Sequence, residues 1–131
     1  MQKKFSNKEI EEKFKHLVLK GWNLSEDKIY IQKTFVFKNF KEAFSWMCRI
    51  AFIAEEINHH PNWTNVFKTV DISLSTHDAG GLTVLDLDFA NAVEMETRLS
   101  LSKQFEQKSY HKHLAVFQST AFRFFCFQLQ R

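Results

Sequence analysis

Two adjacent histidines, His59 and His60, are followed by Pro61 and Trp63 and share a nineteen-residue window with His77. The chain has six histidines, so half of them fall here, beside Glu55, Asn58, Asp78 and Asp86. Imidazole is the side chain best suited to moving protons near neutral pH, with an ordinary pKa of ~6.5. The window contains no cysteine. This set of residue types predicts proton-transfer chemistry on a small molecule.

Each residue also has a plainer reading. A histidine pair at a helix C-terminus interacts well with the negative end of the helix dipole. His77 reads equally as a surface residue at a strand end, Asp86 as a helix-capping acid and Glu55 as a solvated helix residue. Trp63 suits a loop-to-core anchor, and its indole can also stack on a flat heterocycle. Zinc is the first functional rival, since three histidines and a carboxylate are a ligand set. Adjacent residues chelate one ion poorly, however, and no HExxH is present, so no metal is expected. Ser-His-Asp hydrolysis is weaker still, because no G-x-S-x-G elbow exists.

Local patterns position these residues. Ser6-Asn7-Lys8-Glu9 has capping-box spacing, with Phe5 and Ile10 placed as a staple. Phe14, Leu17 and Val18 continue at helical spacing to Gly21, which predicts a first helix over 7–20. Ile29, Ile31, Phe35 and Phe37 alternate with polar residues and predict two short strands turning near Gln32-Lys33. Asn39 caps a second helix, with Glu42 three residues on. Its apolar arc, Phe40, Ala43, Phe44, Met47, Ile50, Ala51, Ala54 and Ile57, widened by Trp46 and Ile53, covers about half the wheel. A large core and a second subunit both account for that width. Pro61 ends the helix, which places His59 in its last turn and His60 in extended backbone. Thr64–Phe67 and Val70–Thr76 read as a hairpin with His77 on its polar side. Gly80-Gly81 turns the chain, and Thr83 caps a third helix with Asp86 three residues on. The order α-β-β-α-β-β-α predicts an α+β fold, a four-stranded antiparallel sheet with three helices on one face.

At 131 residues the chain is long enough for one real core. Residues 1–96 hold 12 Lys+Arg against 14 Asp+Glu, whereas residues 97–131 hold 6 against one. The basic charge belongs to the tail, so no nucleic-acid footprint is expected on the main domain. Six of the fifteen phenylalanines also lie in that tail. The boundaries expected are a domain over 1–97 and a Phe-rich basic extension over 98–131, either an added helical or strand segment or an extension foreign to the domain. Cys48 falls in an apolar helical pattern and Cys126 lies far away, which predicts a buried free thiol and a reducing, cytoplasmic setting. No leader pattern and no apolar run near the ~20 residues of a membrane span is found.

The spacing Glu55-x3-His59-His60-Pro61-x5-Phe67-x9-His77-x8-Asp86 resembles the signature of the pterin-4a-carbinolamine dehydratases. The likeness extends from Gly21-Trp22 through Phe35-Val36-Phe37-Lys38, Asn58 to Val66 and Ile72 to His77, and covers about residues 5–96. It implies the α+β fold already read from the patterns. It also implies a reaction: 4a-hydroxytetrahydropterin loses water to give quinonoid dihydropterin, recycling the pterin of aromatic amino-acid hydroxylases without metal or redox cofactor. Carried onto this sequence, it makes His59, His60 and His77 the catalytic imidazoles. Glu55 and Asp86 become orienting carboxylates, and Pro61 and Trp63 pocket walls. Animal-type members carry aspartate at position 58; Asn58 hydrogen-bonds but bears no charge. The resemblance further implies a homodimer or homotetramer. Some animal members also act as dimerisation cofactors of a homeodomain transcription factor, and related assembly factors lack the histidines. A protein-binding module on the same fold is therefore the alternative.

Overall fold

The computed structural model of the chain describes residues 2–100. The chain divides into two compact units, Met1–Thr97 and Arg98–Arg131. The tail's expected structure and Cys126 lie outside the described residues.

Ser6 opens the first helix through a complete capping box. Its hydroxyl accepts from the Glu9 N–H, and the Glu9 carboxylate accepts from the Ser6 N–H. The single expected helix is two segments, α1 (Asn7–Lys13) and α2 (Lys15–Leu19), meeting at Phe14, where φ is −91° and ψ −3°. Ile10, Phe14 and Leu17, at one-face helical spacing, are all fully buried across the break.

Four strands form one antiparallel sheet in the order β1-β2-β4-β3. They are β1 (Asn23–Leu24), β2 (Ile31–Val36), β3 (Asn62–Val66) and β4 (Thr69–Leu74). The turn expected at Gln32-Lys33 is absent. β2 runs unbroken through six pairs, from Ile31 opposite Leu74 to Val36 opposite Thr69. The pattern misled because Lys33 faces inward between Ile31 and Phe35. Its ammonium lies 2.5 Å from Glu94 Oε1, donates to the Lys20 carbonyl and sits over the Phe35 ring. The first strand is β1 instead, at two residues too short to show a period.

Asn39 caps α3 (Phe40–Ile57) by accepting from the Glu42 N–H at 2.9 Å. Its buried stripe is Ala43, Trp46, Ile50 and Ala54, with Met47, Ile53 and Ile57 partly buried against the same core. Trp46 thus lies at the centre of the face, while Phe40 and Phe44 are exposed. Cys48 is free as expected but exposed, not buried. It lies four residues from Phe44 and from Phe52, on the stripe turned away from the core.

A last helix, α4, begins at residue 84 and runs through residue 100. Phe89, Ala90 and Val93 on it pack into the core with Trp22 and the inner residues Val70, Ile72 and Leu74 of β4. Glu94 accepts from Trp22 Nε1 at 2.9 Å as well as from Lys33, so three elements meet at one carboxylate. The helices cover one sheet face. The other presents Gln32, Thr34, Thr64 and Asp71 to solvent. Among the described residues, no helix is long and apolar enough to cross a membrane.

Candidate active site

The site is built where α3 hands over to β3 and β4 hands over to α4. α3 stops because Asn58 adopts the left-handed conformation, φ 54° and ψ 44°, which asparagine tolerates better than most residues. The N–H of His59 then bonds back to the Ala54 carbonyl at 3.0 Å. His59 therefore lies just beyond the helix, not in its last turn. Asn58 makes the stop three residues before Pro61, the residue expected to make it.

The register of β3 on β4 sets Asn62 opposite Ser73. Residues 59–61 consequently run beside the segment that follows Leu74. That segment is a tight loop. Thr76 and Gly81 exchange backbone hydrogen bonds at 3.0 and 3.3 Å around the 3-10 turn His77–Ala79. His77 is exposed as the first residue of this turn, not as the last of a strand. The N-terminal segment crosses the loop: Phe5 N–H bonds the Leu82 carbonyl, and Lys4 Nζ bonds the Gly80 carbonyl at 2.8 Å. Gly81 has φ +158°, and a Cβ there would come within 2.5 Å of Lys4 Cε.

Two histidine–carboxylate pairs differ sharply in burial. His59, 8 % exposed, places Nε2 2.8 Å from Oδ1 of the fully buried Asp86. Asp86 Oδ2 accepts from the Thr83 N–H at 2.8 Å and from Thr76 Oγ1 at 2.8 Å. With the carboxylate acting as acceptor, Nε2 of His59 carries the hydrogen and Nδ1 is left for chemistry. Phe89 meets the ring edge-on, with centroids 6.2 Å apart. The second pair is His60 Nε2 with Glu55 Oε1, 2.7 Å apart but with side chains 60 % and 76 % exposed. Solvent screens that pair, so it orients less firmly.

Asp86 caps the helix and bonds His59 with the same carboxylate. Thr83 Oγ1 accepts from the Leu85 N–H at 3.2 Å, and Asp86 returns a bond to the Thr83 N–H. Trp63 lies on the inner sheet face opposite Ile72 and packs partly buried against the core. Pro61 is half-buried beside the histidines, and Asn58 is exposed at the helix end. Thr76, Thr83 and Phe89 were not singled out as site residues from sequence. Only Thr83 had a local signal, its capping spacing to Asp86. A shallow depression of about 240 Å³ on the outer sheet face, around Gln32, Thr34, Asn62 and Asp71, contains none of the three histidines.

The sequence model of the family described as Pterin 4 alpha carbinolamine dehydratase matches residues 3–96. The chain belongs to that family. Among pterin-4-alpha-carbinolamine dehydratase relatives, a Rhodopseudomonas palustris (strain BisB18) protein named "Putative pterin-4-alpha-carbinolamine dehydratase" is 55% identical over 75 residues, 57% of this chain and 74% of that protein. A Mesorhizobium japonicum protein of the same name is 54% identical over 72 residues, 55% of this chain and 74% of its own length. The crystal structure of a transcriptional coactivator/pterin dehydratase from Brucella melitensis superposes with a TM-score of 0.66 at 33% identity, covering 71% of this chain and 97% of that one. The α+β fold with its four-stranded antiparallel sheet is thus the pterin dehydratase fold.

Proposed function

We propose that the protein dehydrates 4a-hydroxytetrahydropterin to quinonoid dihydropterin, with His59, His60 and His77 as the catalytic set. Family membership supports the dehydratase activity. The observation that carries the site is the fully buried carboxylate of Asp86, which holds His59 with one oxygen and, with the other, the residue preceding His77.

The reaction needs one acid and one base. The C4a–O bond breaks as the N5 electron pair forms the C4a=N5 bond. An acid protonates the departing hydroxyl so that it leaves as water, and a base takes the proton from N5. The C4a–O bonding pair leaves with the water and the N5 pair replaces it at C4a, while one proton enters and one departs, so no oxidant or reductant is needed. In this reading His59 and His77 act on the C4a hydroxyl. His60, backed by Glu55, holds the ring and takes the N5 proton. Pro61 and Trp63 supply pocket walls, and Asn58 a neutral hydrogen-bonding group.

The working unit is a homodimer or homotetramer. Phe40, Phe44 and Phe52 are 49%, 54% and 77% exposed along α3, and aromatic surface of this kind favours association. The same stripe would serve a protein-binding module, the second reading.

A stopped-flow assay of carbinolamine breakdown tests the proposal. His60→Ala or His77→Ala lowers the rate about 10²–10⁴-fold, the usual worth of an acid–base group, with unchanged circular dichroism. Full activity in the His59/His60/His77 triple alanine variant overturns the site. A folded wild-type protein without turnover favours the binding module. Loss of activity with chelator and recovery with zinc favours a metal centre.

A further inference from the structure

We propose that Thr76 is a positioning residue for the histidine set, its hydroxyl fixing the Asp86 carboxylate that orients His59 and so tying that ring to the loop carrying His77. The inference rests on the dehydratase reading for its kinetic consequence, but its structural content is independent of it.

The direction of each hydrogen bond can be assigned. Thr83 Oγ1 accepts from the Leu85 N–H at 3.2 Å, and its own hydrogen has two candidate acceptors, Thr76 Oγ1 at 2.7 Å and Asp86 Oδ2 at 3.4 Å. The nearer one wins, because hydroxyl hydrogen bonds weaken beyond about 3.0 Å. Thr76 therefore accepts from Thr83 and donates to Asp86 Oδ2 at 2.8 Å. The result is a one-way chain, Leu85 N–H to Thr83 hydroxyl to Thr76 hydroxyl to Asp86, with each donor polarising the next. Asp86 and Thr83 are fully buried, so no water substitutes easily for a missing donor.

The hydroxyl is not needed for the local fold. Thr76 N–H and C=O are already bonded to Gly81 and Ala79. The α4 N-terminus is closed by Thr83 and Asp86 without it. Its only side-chain partners among the described residues are Thr83 and Asp86. What it adds is a second donor on Oδ2, which stops the carboxylate from rotating away from His59. In metal sites, loss of such outer partners of the groups that orient a histidine costs about 10–100-fold, and we expect the same scale here.

The test compares Thr76→Val, which keeps the shape and removes the hydroxyl, with Thr76→Ser, which keeps the hydroxyl. Steady-state kinetics on the full chain should give a kcat for Thr76→Val about 10–100-fold below wild type with KM within about threefold. Thr76→Ser should stay within about threefold of wild type in both. In a proton–nitrogen correlation spectrum of the imidazoles, the His59 Nε2–H signal should move or exchange faster in Thr76→Val and stay in place in Thr76→Ser. A wild-type kcat or an unmoved His59 signal in Thr76→Val overturns the proposal, and so does equal damage in both variants. If Thr76→Val does not fold, Thr76→Ala replaces it with the same expected outcomes. If wild type shows no turnover, the dehydratase reading falls and the spectroscopic arm alone decides on Thr76.

Discussion

His59 and Asp86, 27 residues apart in the chain, form a buried pair in which the ring's Nε2 lies 2.8 Å from Oδ1. The remaining oxygen, Oδ2, closes the N-terminus of α4 through the Thr83 N–H. One side chain thus starts a helix and aims an imidazole.

Asp86→Asn separates these two tasks poorly, and both should suffer. The new amide must turn its NH₂ either to His59 Nε2–H or to the Thr83 N–H, and donor then faces donor. If it faces His59, the ring is driven to its other tautomer, with the hydrogen on Nδ1. We expect a dehydratase rate lower by about 10²–10⁴-fold and a stability loss of about 1–3 kcal/mol from the mismatched buried groups. Urea unfolding and the carbinolamine assay measure the two effects. A wild-type rate in this variant would remove Asp86 from the site.

Association should depend on the outward stripe of α3. Ile53 is a poor probe, because it packs partly buried against its own core. Phe52, at 77% exposure, is a clean one. Phe52→Glu should leave Tm within a few degrees and shift the mass seen by light scattering toward monomer. A wild-type monomer at micromolar concentration would contradict the assembly outright.

Residues 98–131 should be dispensable for catalysis. The expected site residues end at Asp86. Thr97 Oγ1, which accepts from Trp46 Nε1 at 3.0 Å, is retained in a chain ending there. That shortened chain should fold, keep its rate per active site and be at least as soluble, because the Phe-rich basic segment is gone. Unfolding or inactivity on truncation would make the tail part of the domain.

The α1 capping box should leave a signature in acid. The Ser6 backbone N–H, then the Ser6 hydroxyl, hold the Glu9 carboxyl below its ordinary value. A lowered carboxyl stabilises the fold at pH values above its unfolded pKa, and the contribution is lost as pH falls through the folded value. Ser6→Ala also removes the N-cap hydrogen bond to the Glu9 N–H, and loss of such a cap should lower Tm at pH 7 by roughly 4–8 °C in a domain of this size. The gap to wild type should narrow once pH drops below the ordinary glutamate value of 4.5. Because Ser6→Ala keeps the backbone N–H that bonds Glu9, an equal gap at pH 7 and pH 3 would show that the Ser6 hydroxyl does not couple Glu9 to stability.

Features whose partners are close in the chain could be read directly. Ser6 with Glu9, Asn39 with Glu42 and Thr83 with Asp86 are three residues apart, and each closes a helix N-terminus as expected. Glu55 and His60 are five apart and meet across the end of α3. The spacing of Glu55, the three histidines and Asp86 carried the family, and the order of elements carried the fold class. Tertiary structure decided what depends on distant partners. Lys33 can face inward within an unbroken strand because distant groups meet its charge, above all Glu94, 61 residues away. The exposure of Cys48 follows from Trp46, rather than Phe40 or Phe44, taking the centre of the buried stripe. Thr76 has no sequence signal toward His59, since their link through Asp86 exists only once β3 has paired with β4 in one register. Periodicity and capping report interactions within about a helical turn. A buried hydrogen-bond network is fixed instead by which segments the sheet and the core bring side by side.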